Sequence, residues 1–143
     1  MPVHVFKQTI AMLASAGDTG GTVGAIEVSG PGGAVPPLHV HEREDEAFFV
    51  LEGDYRVFVG DDVIAASPGS WVWGPRGVPH GYQIDSARGR HLSLSMPGGF
   101  EAFFEEVAAF ATPDADPRQE MDRLTAVAAR YGVEFLGPPA APS

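Results

Sequence analysis

His39 and His41 stand one residue apart in 38-LHVHEREDEAFFVLEG-53, ahead of a charged run and then an apolar one that ends at Gly53. On an extended strand, side chains two apart share a face, about 6.6 Å apart along the backbone. Both imidazoles can then converge on one ion, at about 2.0–2.2 Å from each nitrogen. Such an ion needs further donors from elsewhere. Glu46 opens the next apolar run, so one carboxylate of 42-EREDE-46 can turn inward while Glu42, Arg43, Glu44 and Asp45 form a solvated turn. His80 closes 74-GPRGVPH-80, where prolines and glycines fix the entry to a strand.

Composition narrows the chemistry. The chain has no cysteine, so a transition metal must be held by histidine, carboxylate and water. A net charge of −10 excludes nucleic acid and anionic membrane surfaces as partners, because no basic patch could offset that field. Small molecules, metals and a second copy of the chain remain. No apolar run approaches the roughly 18 residues of a membrane span. The stretch 9-TIAMLASA-16 ends in Ala-Ser-Ala like a signal-peptidase site, but only Lys7 precedes it as a clear positive charge. It reads as a strand, and the expected location is cytoplasmic.

The elements that must position these residues are mostly short strands. The 143 residues suit one domain. From residue 3 to about 96, ten strand-like runs alternate with turn residues such as Gly53-Asp54, Gly60-Asp61, Pro68-Gly69 and 30-GPGGAVPP-37. This pattern predicts an all-β antiparallel barrel or sandwich over residues 1–98. The period then changes. Phe100, Phe103, Phe104, Val107 and Ala108 recur at helical spacing, and a second helix starts at Asp116-Pro117 and stops at Gly132. Residues 99–136 are therefore expected to form a helical extension packed on the barrel, with 137–143 as a frayed tail. Both helical stripes read as packing faces.

Around the histidines, Phe48 and Val50 share the face of Glu46, and Tyr82 shares that of His80. All three are candidates for substrate binding. Trp71 and Trp73 share a face suited to core or interface packing, and His91 receives no role.

The spacing Gly33, His39, His41, Glu46, Gly53 matches G-x5-H-x-H-x4-E-x6-G, and Gly69, Pro75, Gly77, His80 match G-x5-P-x-G-x2-H, with Ile84 where an asparagine is frequent. Through these two motifs the chain resembles the cupins. The resemblance implies a small jelly-roll barrel and one divalent transition metal held by His39, His41, Glu46 and His80. Iron, manganese, nickel, cobalt, copper and zinc all remain open as its identity. The segments 17-GDTGGTVGAIEV-28 and 97-PGGFEAFFEE-106 are similar to the quercetinase-like branch of single-domain cupins. That branch implies a dioxygenase acting on a small enolic or aromatic, quercetin-like molecule, with Glu46 both ligand and catalytic base. A metal-dependent isomerase or cyclase, or a non-catalytic small-molecule-binding barrel, is the alternative. A homodimer is also implied.

Overall fold

Short β-prone runs divided by glycine turns fold back on each other as antiparallel pairs. The computed structural model describes residues 1–33 and 36–137. Part of the 30–37 turn and residues 138–143 of the expected tail lie outside the described residues. The strands are β1 (Val3–Val5), β2 (Gln8–Ala14), β3 (Gly24–Pro31), β4 (Leu38–His41), β5 (Asp45–Glu52), β6 (Tyr55–Val59), β7 (Asp62–Ala66), β8 (Trp71–Gly74), β9 (His80–Ile84), β10 (Arg88–Met96) and β11 (Val133–Gly137); the helices are α1 (Ala102–Val107) and α2 (Pro117–Arg130). One sheet runs β1-β2-β3-β10-β5-β8 and the other β11-β4-β9-β6-β7. This is the all-β jelly-roll architecture with two helices that the sequence predicts.

β11 departs from the expectation. The sequence reading places residues 133–136 in the helical extension, yet residues 133–137 form a strand antiparallel to β4, with Val133 opposite His41 and Phe135 opposite His39. Gly132, at φ 71°, ends α2 and turns the chain into it. Five residues are too few to show a period against the preceding helix.

α2 begins as predicted: the Asp116 carboxylate accepts from the Arg118 backbone N–H at 2.9 Å, and Pro117 fills the first turn. α1 is shorter than the stripe suggests, because the chain tightens into a turn after Val107. That turn presents the Ala111 carbonyl to the Phe6 N–H at 2.7 Å, tying the β1–β2 hairpin to the end of α1. None of the described helices is long and apolar enough to cross a membrane.

Three apolar clusters hold the fold. Val50, Tyr55, Val57, Val72 and Ile84 fill one end between the sheets. Phe100, Phe103, Val107, Leu124, Ala128 and Val133 join the helices to β11. Ile10, Ile26 and Val28 line the inner face of β2 and β3. Fully burying a side chain such as Leu124 contributes about 1.5–3 kcal/mol.

Candidate metal centre

β4 and β9 pair with His39 directly opposite His80, and β5 brings Glu46 across from the other sheet. One donor atom from each of His39, His41, Glu46 and His80 lies within 4.8 Å of the others. The three Nε2 atoms surround a single carboxylate oxygen, Glu46 Oε2, at 3.5 Å for His39, 2.7 Å for His41 and 3.0 Å for His80. The Ser93 hydroxyl donates to the other carboxylate oxygen, Oε1, at 2.7 Å. His41 and His80 are sealed from solvent, whereas the His39 side chain keeps 16% of its surface exposed.

The far nitrogens of two rings are already committed. His41 Nδ1 lies 2.6 Å from Glu44 Oε1, and His80 Nδ1 lies 3.1 Å from the Val78 carbonyl oxygen. Both partners accept, so Nδ1 carries the proton in each neutral ring and Nε2 presents a lone pair. These lone pairs then face the lone pairs of Glu46 Oε2, an arrangement that needs positive charge between them. His41 Nε2 is moreover a fully buried atom without a hydrogen bond, although Oε2 is near it. A divalent cation satisfies all four donors together, so the residues present fit a metal. Without it the electrostatics are strained. Burial acts to lower the His41 pKa, but its hydrogen bond to Glu44 and the nearby Glu46 carboxylate outweigh this and raise it to about 9. Burial also lowers the His39 pKa. Burial would raise that of Glu46, yet the three imidazoles crowded around it hold the carboxyl well below its usual range.

The sequence pattern of the Cupin domain family matches residues 25–92, a span that contains all four donors. The chain carries a cupin domain. This cupin is 30% identical over 135 residues to the quercetin 2,3-dioxygenase of Bacillus subtilis (strain 168), over 91% of this chain and 40% of that protein. It therefore spans less than half the length of that relative. Among solved structures, KdgF from a Halomonas species superposes with a TM-score of 0.65 at 22% identity, over 71% of this chain and 90% of that one. The TT1209 protein of Thermus thermophilus gives a TM-score of 0.57 at 25% identity, over 64% and 84%.

Of the four donors, His39 and Glu46 open onto a cavity of about 600 Å³, lined mainly by apolar side chains that include Phe6, Ile26, Val28, Phe104, Met121 and Leu124. Phe48 and Tyr82 line it as their strand faces predict. Val50 does not line it: it packs with Tyr55, Val57 and Ile84 in the closed end of the barrel. Phe100, in the turn before α1, and Phe103 and Phe104 on α1, all read as packing only, also face the cavity. Trp71 and Trp73 lie outside the core, 55% and 44% exposed on β8 at the edge of its sheet.

Besides Ser93, two polar residues escaped the sequence reading. Glu44, assigned to the solvated turn, is buried against His41. Its signal was the three-residue step from a histidine whose other nitrogen needs orienting. His91 is buried in the cavity wall, its Nδ1 2.8 Å from the Tyr55 hydroxyl. β10 turns Gly89, His91, Ser93 and Ser95 inward and the leucines between them outward, opposite to what hydrophobicity suggests.

His91 carries a testable pH signature. Burial pushes its pKa from 6.5 down to about 4, partly opposed by the charge of Glu46. The unfolded chain therefore binds the extra proton first as pH falls. The resulting stability is complete above pH 6.5 and is lost on descent toward pH 4. At pH 5 the loss is about 2 kcal/mol for this one group. Urea denaturation of wild type and His91→Gln at pH 7.5 and pH 5 should show the stability gap between them shrinking by about that amount. A gap independent of pH would contradict a neutral, buried His91.

Proposed function

We propose that this cupin is a metal-dependent dioxygenase acting on a small enolic or aromatic, quercetin-like molecule, with His39, His41, Glu46 and His80 holding one divalent transition metal. The observation that carries this reading is the meeting of a four-donor cluster with an apolar cavity large enough for a fused-ring molecule. Similarity to quercetin 2,3-dioxygenase over most of the chain supports the substrate class. When bound, a divalent ion supplies Lewis acidity toward an enol oxygen and, if redox-active, a route for electrons to dioxygen.

The chain's own residues do the rest. Ser93 fixes Glu46 Oε1, which leaves Oε2 as the atom placed to take the proton of a substrate enol hydroxyl. Phe48 and Tyr82 line the cavity one strand step beyond Glu46 and His80, with ring centroids 6.3 Å apart. Apolar walls from Ile26, Val28 and Phe104 exclude water from the resulting anion. Glu44 holds His41 in the tautomer that offers Nε2 to the ion.

An oxygen electrode tests the reading. Metal-loaded protein given quercetin is expected to consume dioxygen, and Glu46→Gln to lose that activity. If Glu46→Gln keeps both metal content and turnover, the role of Glu46 is wrong. A fully loaded protein that consumes no dioxygen with any enolic substrate would move the reading to non-oxidative Lewis-acid chemistry. Glu44→Gln is expected to weaken metal affinity about 10–100-fold, since orienting partners of ligand histidines have effects of that size. Competition against a chromophoric chelator measures it.

Self-association belongs to the same proposal. The exposed Trp71 and Trp73 on an unpaired sheet edge suit a contact with a second copy. Trp71→Ser/Trp73→Ser should shift the solution mass by light scattering from dimer to monomer. A monomeric wild type would contradict it.

A further inference from the structure

Beyond the metal-side donors, the cavity wall offers hydrogen-bond donors that no described residue uses. On β9 Tyr82 lies two residues past His80, on β5 Phe48 lies two past Glu46, and on β10 His91 lies two before Ser93. A two-residue step along a strand is about 6.6 Å. Tyr82, Phe48 and His91 thus form a second layer of the wall. Their ring centroids are 4.7 Å apart for Tyr82 and His91, 5.8 Å for Phe48 and His91, and 6.3 Å for Phe48 and Tyr82.

The hydrogen bonds of this layer leave protons pointing outward from it. The Tyr55 hydroxyl has His91 Nδ1 as its hydrogen-bond partner, so donation from the phenol satisfies both groups and places the imidazole proton on Nε2. His91 Nε2 has no hydrogen-bond partner among the described residues. Among the described residues, the fully enclosed side-chain atoms without a partner are His41 Nε2 and Glu120 Oε2, so His91 Nε2 is not sealed off. Its ring lines the cavity while Tyr55 does not, which leaves Nε2 on the cavity side. Tyr82 is similar: its oxygen accepts from Gln8 Nε2 at 2.6 Å, and its own proton remains free.

We propose that His91 and Tyr82 form a second recognition site, which binds a neutral acceptor oxygen on the far end of a ligand whose near end meets the metal-side donors. The ligand class is an aromatic, fused-ring enol with a hydroxyl, ether or carbonyl oxygen roughly 6–7 Å from its enol oxygen, the length of one two-residue step. Neither donor is a cation, so a carboxylate or phosphate at that end would be buried without a counter-charge. The inference rests on the dioxygenase reading only in taking an aromatic enol as ligand.

Anaerobic calorimetric titration of the protein as purified separates binding from turnover. The probes are quercetin and 3-hydroxyflavone, which share the fused core and the enol but differ in the remaining hydroxyls. Wild type is expected to bind quercetin about tenfold more tightly, and His91→Phe and Tyr82→Phe each to lose about tenfold for quercetin while changing less than about twofold for 3-hydroxyflavone. Equal wild-type affinities, equal losses for both probes, or binding of neither would overturn the site. If a variant fails to fold, the two wild-type affinities decide alone. A tenfold preference in protein that consumes no dioxygen in air would sink the dioxygenase reading and leave this site standing.

Discussion

Protein purified without chelator or histidine tag is expected to carry about one divalent transition metal per chain, and the His39→Ala/His80→Ala variant less than about a tenth of that, by inductively coupled plasma mass spectrometry. The two imidazoles face each other across β4 and β9 at the same register position, so their removal takes two of four donors from one side of the cluster. What remains, His41 and Glu46, lacks the ligand count of a stable site for such an ion. Dioxygen consumption should disappear with the metal. Circular dichroism should show the strands intact, because β9 stays paired with β6 through five residues. Stoichiometric zinc in wild type would favour isomerase or cyclase chemistry. Metal absent even after reconstitution would remove the enzyme reading altogether.

Gly53→Ala is expected to be strongly destabilising although it lies outside the centre. Gly53 has φ 89°, and a Cβ there would stand 2.4 Å from the Arg88 carbonyl oxygen and 2.6 Å from the Ser86 hydroxyl. The left-handed backbone alone costs a non-glycine residue about 1–2 kcal/mol. The overlap with backbone adds to this, since the Arg88 carbonyl belongs to β10 and cannot swing aside as a side-chain tip would. A total of about 3 kcal/mol or more follows, which for a domain of this size lowers the melting temperature by about 10 °C. Gly33, with φ 85° but nothing among the described residues near its Cβ, is the control: alanine there should cost only the backbone part. Equal effects at the two positions would show that overlap plays no part at Gly53.

Gly53 also shows why the motifs were readable: a fixed spacing between turn glycines and histidines reflects backbone conformations that the strands impose. The strand order could not be read in the same way, but the strands themselves could, since β-branched and aromatic runs end at glycine turns throughout residues 3–96. Less of the cavity was legible. Glu44 lies in a run of charge, and only the folded register shows it turning under His41 while Asp45 turns out to Arg76. His91 sits on a strand whose polar residues face inward, so hydrophobic alternation gives the wrong face. Val50 has the right face but the wrong depth, because the space beside Phe48 closes into packed core one step further along β5. Strand parity gives direction, and depth depends on how the two sheets taper.

β11 bears on how the centre is made. All four donors have been synthesised once His80 is added, yet β4, which carries His39 and His41, lies between β9 and β11. Until residues 133–137 leave the ribosome, β4 is an open sheet edge with unpaired backbone groups. A chain ending before Gly132 would therefore carry His39 and His41 on a strand whose outer edge is free to pair with another chain.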